Sequence, residues 1–192
     1  GFYILMLSLN GRWYLAAFGA IAYAFSSYFF IIIAAGHIWK FITLAYIPPT
    51  IAGIVLAYRG KYLLGGALAA LFGALQIMSN HVQMSYYFLF VILAVVIAYA
   101  VEHYRSHTLP RFFKATGVLV VAALLAVGAN ASNLYHTYKY SKESMRGGHT
   151  ELTSQDNSQE NTGSGLDKDY ITKWSYGKME TLTLLIPDSK GG

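Results

Sequence analysis

The sequence contains no cysteine and few charged residues, and these two absences narrow the class of protein. Without cysteine, the chain has no disulfide framework. Charged residues make up 12% of the 192 residues, whereas a soluble domain carries roughly 25%. Hydrophobic residues make up 55% of the chain. This composition excludes a soluble globular domain and predicts an integral membrane protein.

Acidic residues are nearly missing from the first two thirds of the chain. Glu102 is the single acid in residues 1–129, and the other eight acids all follow Asn130. Residues 1–129 therefore carry a net charge of +6, from seven Lys and Arg and one acid. Residues 130–192 carry −1, from seven Lys and Arg and eight acids. We interpret the basic pI as loop charge in a membrane protein, and we expect no nucleic-acid partner.

Long apolar runs fill the acid-poor segment, and each is close to the roughly 20 residues that a helix needs to cross a bilayer. They are Leu15–Ala35, Phe41–Tyr58, Tyr62–Ser79, Val82–Val101 and Ala115–Ala131. Gly1–Leu9 has the composition of the end of a sixth span. Because the runs do not alternate in polarity, they are not barrel strands. The predicted fold class is all-α: a polytopic transmembrane helix bundle of about five full spans plus one partial span.

Two domains are expected from the change in composition. Residues 1–131 would form the transmembrane helix bundle, and residues 132–192 an extracytoplasmic loop or partial domain. Thr150–Gly165 is rich in Ser, Thr, Asn, Gln and Gly, which predicts a flexible segment at 150–165. Both ends of the sequence look interrupted, so we expect an internal piece of a larger protein.

Basic residues in the short loops predict the orientation of the bundle. One set of loops carries most of them: Arg12, Arg59, Lys61, Arg105, Arg111 and Lys114. The opposite set, within the membrane part, carries only Lys40. Because basic loops stay in the cytoplasm, the first set is predicted inside and residues 130–192 outside. The expected location is the bacterial cytoplasmic membrane.

Polar residues cluster at the predicted outer ends of two neighbouring helices. His37 and Lys40 lie on one turn, and Asn80, His81 and Gln83 lie on the next. A lysine at this boundary can hold a phosphate, and a histidine can donate to phosphate or sugar oxygens or act as a general base. The amides suit sugar hydroxyls. Nearby, Tyr86 can stack on a sugar or line a lipid groove, so a substrate-binding pocket is predicted here.

Simpler interpretations of the same residues stay open. Lys40 can extend to the membrane surface as an anchor without binding a ligand. His37 and His81 can cap helix ends or bond to the backbone. No His-x-x-x-His or carboxylate spacing supports a divalent metal, so no metal or other cofactor is expected.

Several short motifs spread over nearly the whole chain resemble the bacterial YfhO family of membrane proteins. They include Phe25-Ser26-Ser27-Tyr28-Phe29, Asn80-His81-Val82-Gln83-Met84, Tyr140-Ser141-Lys142-Glu143-Ser144-Met145-Arg146-Gly147 and Trp174-Ser175-Tyr176-Gly177. That family is similar to the GT-C class of glycosyltransferases. The resemblance implies a GT-C-like bundle that takes sugars from polyprenyl-phosphate donors on the outer membrane face. The acceptor would be an extracytoplasmic polymer or lipid.

The resemblance implies where the catalytic acid lies, and side-chain chemistry indicates the roles of the other site residues. The family's catalytic acid lies in an outer loop ahead of this segment, so no position here inherits that role. Lys40 and Arg146 are the candidates for holding phosphate, while Asn80, His81 and Gln83 would position the sugar or acceptor. Two other functions stay open. A transporter or lipid flippase predicts charged or broken helices at the bilayer midplane, and a non-catalytic scaffold predicts that the polar outer residues do not converge.

Overall fold

The computed structural model describes residues 1–143, and this part of the chain is helical apart from short turns. Its helices are α1 (Phe2–Ser8), α2 (Trp13–Ala24), α3 (Ser27–Ala34), α4 (Ile38–Tyr58), α5 (Tyr62–Met78), α6 (Val82–Arg105), α7 (Leu109–Ala129) and α8 (Ala131–Glu143). The described residues contain no strand. The chain divides into two compact units, residues 1–133 and 134–192. The segment 150–165, predicted to be flexible, lies outside the described residues.

Four stretches of helix are long and apolar enough to cross a membrane. They are Trp13–Ala34, which comprises α2 and α3, and the single helices α4, α6 and α7. Helix α5 is apolar but has only 17 residues. The structure is thus all-helical and membrane-spanning, as the sequence predicts. The expected total of five full spans stays a prediction, because α5 is shorter than the other candidates.

Short turns join α4 to α5, α5 to α6, and α6 to α7, so consecutive helices run in opposite directions. The ends of these helices therefore lie at two ends of the bundle. The first, which we call the basic end, contains Arg59 and Lys61 of the α4–α5 turn, Arg105 at the end of α6, and Arg111 and Lys114 near the start of α7. The second, which we call the histidine end, contains His37 and His81, from the α3–α4 and α5–α6 turns. The bundle therefore has two ends of different chemistry.

Helices α4 and α5 pack with their backbones in contact. A Cβ added to Gly53 would lie 2.5 Å from the backbone nitrogen of Ala69 and 2.8 Å from the carbonyl oxygen of Gly65. A Cβ added to Gly65 would overlap the backbone nitrogen of Ala57. Small residues four positions apart on both helices allow this close approach. Helices commonly associate in this way in lipid, where the burial of apolar surface contributes little to association.

A buried amide joins α7 to α5 near the histidine end. The side chain of Asn130, which follows α7, is 7% exposed. Its Nδ2 donates to the carbonyl of Ala126 at 2.9 Å and to that of Ala74 at 3.0 Å. A polar group in lipid must find partners within the protein. The bond to Ala74 fixes the end of α7 against α5, and the bond to Ala126 caps α7 itself.

Helix α4 continues through Pro48 and Pro49. Proline has no N–H, so Pro48 leaves the carbonyl of Leu44, four residues earlier, without its helical donor. The hydroxyl of Tyr23 on α2 donates to that oxygen at 3.0 Å. A side chain from a neighbouring helix therefore satisfies the carbonyl and fastens α2 to the middle of α4.

Replacing Tyr23 with phenylalanine is expected to destabilise the bundle by about 1–3 kcal/mol, because it leaves a half-buried carbonyl without a donor. Thermal unfolding in detergent measures the effect as a lower midpoint. Tyr3→Phe is the matched control, since Tyr3 is an exposed tyrosine on α1. Equal midpoints for the two variants would mean that the Tyr23 hydroxyl does not support the proline-containing helix.

Candidate polar cavity and apolar groove

A polar cavity of about 550 Å³ lies at the histidine end. Its lining comes from the α3–α4 turn, the α5–α6 turn and the start of α8, namely Gly36, His37, Trp39, Met78, Ser79, Asn80, His81 and Asn133. The lining combines two imidazoles, two primary amides, a hydroxyl and an indole. These groups donate and accept hydrogen bonds and carry no fixed negative charge, so the cavity suits phosphate and sugar oxygens.

The two turns that form the cavity have backbones that their sequences favour. Gly36 has φ of +78°, a conformation that glycine adopts at helix C-termini without steric cost. Asn80 has φ of +56°, and asparagine tolerates this left-handed region better than most residues. Each turn then places a histidine, His37 or His81, directly before the next helix.

His81 has one ring nitrogen that lacks a partner. Its Nδ1 is buried and makes no hydrogen bond within the described part of the chain. A buried polar atom without a partner is costly, and His81 retains one hydrogen-bonding nitrogen, unused within the described residues, beside the cavity that this residue lines. His37, by contrast, has an exposed side chain.

A chain of hydroxyls and amides lies behind the cavity and fixes the α5–α6 turn. The hydroxyls of Ser79 and Thr43 lie 2.5 Å apart, and Ser79 also donates to the carbonyl of Gln76 at 2.6 Å. The Gln76 amide donates to Ser85 Oγ at 3.0 Å. The Ser85 hydroxyl donates to the carbonyl of His81 at 3.3 Å. The network thereby links α4, α5 and the first turn of α6.

Of the residues that the sequence predicted for the site, His37, Asn80 and His81 meet in the cavity. Lys40 is half-buried, does not line it, and has its ammonium 5.6 Å from the centre of the Tyr28 ring. The exposed amide of Gln83 donates to the Tyr87 hydroxyl at 3.2 Å. Arg146 lies outside the described residues. Lys40, Gln83 and Arg146 stay predictions.

An apolar groove of about 550 Å³ runs between α6 and the neighbouring helices α4, α5 and α7. Its walls are mainly aliphatic and aromatic side chains, among them Ile54, Phe88, Leu89, Ile92, Leu119 and Val127. Tyr86, the remaining predicted site residue, also lines it, with its ring edge-on to Phe90 at 5.3 Å. A groove of this composition can hold a hydrocarbon chain.

The groove and the cavity are lined by successive residues around the α5–α6 turn. Gln76 and Ile77 line the groove, Met78–His81 line the cavity, and Val82 lines the groove again. Along residues 76–82, the chain therefore lines first the apolar groove, then the polar cavity, and then the groove again. Within the described residues, no group of three His, Asp or Glu side chains is placed to hold a metal ion.

Comparison with known proteins gives no guide to the role of this site. No protein-family model, curated protein or solved structure matches the chain. The function is therefore inferred from the residues and their arrangement.

Proposed function

We propose that the chain is the membrane part of a glycosyltransferase that takes a sugar from a polyprenyl-phosphate donor, as its resemblance to the YfhO and GT-C proteins implies. The carrying observation is that successive residues around the α5–α6 turn line an apolar groove and a polar cavity. A polyprenyl-phosphate sugar has a long hydrocarbon tail and a polar head. The tail would lie in the groove and the phosphate and sugar in the cavity.

The cavity residues have roles that follow from the chemistry of transfer. Attack by an acceptor hydroxyl on the sugar C1 breaks the bond to phosphate, and negative charge grows on the phosphate that leaves. Donors held near that phosphate stabilise the transition state. His81 and His37 are the proposed phosphate donors, and Asn80 would bond to the sugar. Lys40 would add positive charge from the first turn of α4.

The proposed acceptor is an extracytoplasmic polymer or lipid, so the histidine end would face the outside of a bacterial cytoplasmic membrane. The basic end, with Arg59 and Lys61, would face the cytoplasm, in accord with the preference of basic loops for that side. The resemblance assigns the catalytic acid to no position of this chain.

Single cysteines test this orientation cleanly, because the chain contains none of its own. In intact cells, a membrane-impermeant thiol reagent should label a cysteine at Val82 and leave one at Lys61 unlabelled. Both sites should react after the membrane is opened, which controls for access. Labelling of Lys61→Cys but not Val82→Cys in intact cells would reverse the orientation.

Binding of the donor lipid is expected to change the fluorescence of Trp39, which lines the cavity. A variant with Trp13→Phe and Trp174→Phe keeps Trp39 as its only tryptophan. Polyprenyl phosphate should change its emission saturably, and the alcohol without phosphate should bind about tenfold more weakly, because a charge-assisted hydrogen bond is lost.

The control keeps Trp13 instead, with Trp39→Phe and Trp174→Phe. Trp13 is 70% exposed and lies outside the cavity, so its emission should not respond saturably. A similar response from both variants, or equal affinity for the phosphate and the alcohol, would refute the proposed site.

One observation favours a second function, transport or flipping of a lipid. The candidate span Trp13–Ala34 is broken at Phe25 and Ser26, close to its middle, into α2 and α3. Discontinuous helices at the midplane often form substrate sites in transporters. The break carries no charged residue, and Phe25 there is 69% exposed. Transport of a fluorescent lipid across proteoliposomes, without sugar transfer, would support this second function over the first.

A further inference from the structure

A second polar pocket, of about 430 Å³, lies at the basic end of the bundle. Its walls come from the α4–α5 turn, the last turns of α6 and the first turn of α7, and comprise Tyr58, Arg59, Gly60, Tyr62, Tyr99, Glu102, His103 and Arg111. It therefore brings two guanidinium groups, one carboxylate and three phenol rings together where the candidate spans α4, α6 and α7 end.

The two arginines can hold a phosphate. One guanidinium N–H of Arg59 donates to the carbonyl of Ser8 at 2.6 Å, which anchors the side chain and leaves its other N–H groups available. Arg111 makes no side-chain hydrogen bond or ion pair within the described residues. Guanidinium groups bind phosphate oxygens through paired, charge-assisted hydrogen bonds, so this pair provides an anion site.

Glu102 gives the same pocket a negative group. It is the only acid in residues 1–129. Although it shares the pocket with Arg59 and Arg111, it forms no ion pair with them in the described structure. An exposed carboxylate accepts hydrogen bonds from a primary ammonium. The pocket thus offers a phosphate site and an ammonium site side by side.

Aromatic stacking and hydrogen bonds hold in place the part of the pocket wall formed by Tyr58 and His103. The ring of Tyr58 is stacked between Tyr99, at 4.9 Å, and Phe112, at 5.3 Å. The two ring nitrogens of His103 contact Thr108 Oγ1 at 2.6 Å and the carbonyl of Tyr58 at 3.3 Å. His103 is thus occupied in positioning Tyr58.

A phospholipid headgroup can supply both the phosphate and the ammonium to the pocket at the basic end. The ends of spanning helices lie at the level of the lipid headgroups, and basic pockets between such helices bind phospholipid headgroups. The exposed apolar faces of α6 and α7, for example at Ile97, can accommodate the acyl chains.

We propose that the pocket at the basic end binds a phospholipid whose headgroup carries a phosphate and a primary amine, as phosphatidylethanolamine does. Arg59 and Arg111 take the phosphate, and Glu102 takes the ammonium. A phosphatidylglycerol headgroup offers no cation to Glu102, and phosphatidylcholine offers no N–H. This lipid site lies at the opposite end of the bundle from the proposed sugar-transfer site and does not depend on it.

Native mass spectrometry of the purified chain in detergent tests the site. Phosphatidylethanolamine, phosphatidylglycerol and phosphatidylcholine with identical acyl chains are titrated, and free phosphoethanolamine is a fourth ligand. We expect phosphatidylethanolamine to bind most tightly. Arg111→Gln should weaken its binding by about tenfold, because a charge-assisted pair is lost. Glu102→Gln should remove the preference for phosphatidylethanolamine over phosphatidylglycerol.

Arg105→Gln is the matched control, because Arg105 is an exposed arginine at the same end that does not line the pocket. It should leave the preference unchanged. Equal retention of the three lipids by the unmodified chain, or an unchanged preference in Glu102→Gln, would overturn the proposal. Free phosphoethanolamine that binds as tightly as the lipid would overturn it too, since the ligand would then be a soluble phosphate ester.

Discussion

Replacing Gly65 with valine is expected to leave little folded protein, because it separates two helices whose backbones touch. Even a Cβ at Gly65 would overlap the backbone nitrogen of Ala57 and lie 2.6 Å from the carbonyl oxygen of Gly53. Backbone atoms cannot rotate aside as a side chain can, so α4 and α5 must move apart. We expect a loss of more than about 3 kcal/mol, the upper range for ordinary overpacking.

The measurement is the fraction of protein that remains monodisperse in detergent after heating. Gly117→Val is the matched control: it places the same β-branched residue in α7, where an added Cβ meets no atom within 4 Å. The control should retain most of the folded protein, with only the small penalty of helix propensity. If both variants survive equally, the close contact of α4 and α5 does not hold the bundle together.

For the proposed glycosyltransferase, replacing His81 with alanine is expected to reduce sugar transfer by about tenfold to several-hundredfold, since each 1.36 kcal/mol of lost transition-state stabilisation is tenfold in rate. The physical reason is the loss of an imidazole that lines the polar cavity. Lys40→Ala should also reduce transfer, and Lys40→Arg should retain more activity, if positive charge at the histidine end assists the departing phosphate.

The assay compares glycosylated product per amount of correctly inserted protein. Lys61→Ala is the control, since Lys61 lies at the basic end and lines neither the cavity nor the groove; its transfer should be nearly normal. Size-exclusion profiles separate a lost activity from a lost fold. Near-normal transfer by His81→Ala would remove this cavity from the mechanism and leave the imidazole a helix-end residue.

Hydropathy predicts the apolar helices, but neither the polar helix α8 nor all of the helix interruptions. The apolar run Val82–Val101 became the long helix Val82–Arg105, because nothing in the next four residues prevents helix continuation. The sequence predicts one span over Leu15–Ala35, whereas the helix breaks at Phe25 and Ser26. Hydrophobicity is insensitive to such a break, since an aromatic residue at a helix end is as apolar as one inside it.

The cavity was partly foreseeable, because antiparallel helices bring the α3–α4 and α5–α6 turns to the same end. The sequence does not predict how each helix is rotated about its own axis. Lys40 follows His37 by three residues, yet its ammonium lies over Tyr28 and outside the cavity lining. The sequence also does not predict that the hydroxyls of Thr43 and Ser79 bond to each other beside the cavity. A hydroxyl near the end of an apolar run is a weak signal until its partner on another helix is known.

Photo-crosslinking of the lipid tail tests most directly whether the groove and the cavity together hold one amphiphilic donor. The probe is a polyprenyl phosphate with a diazirine in its tail, and mass spectrometry locates the label. Label is predicted on Phe88, Leu89 and Leu119 of the groove, and excess unlabelled polyprenyl phosphate should displace it far better than the corresponding alcohol. Label spread over outward-facing residues such as Leu63 and Leu124, or displaced equally by both competitors, would contradict the account.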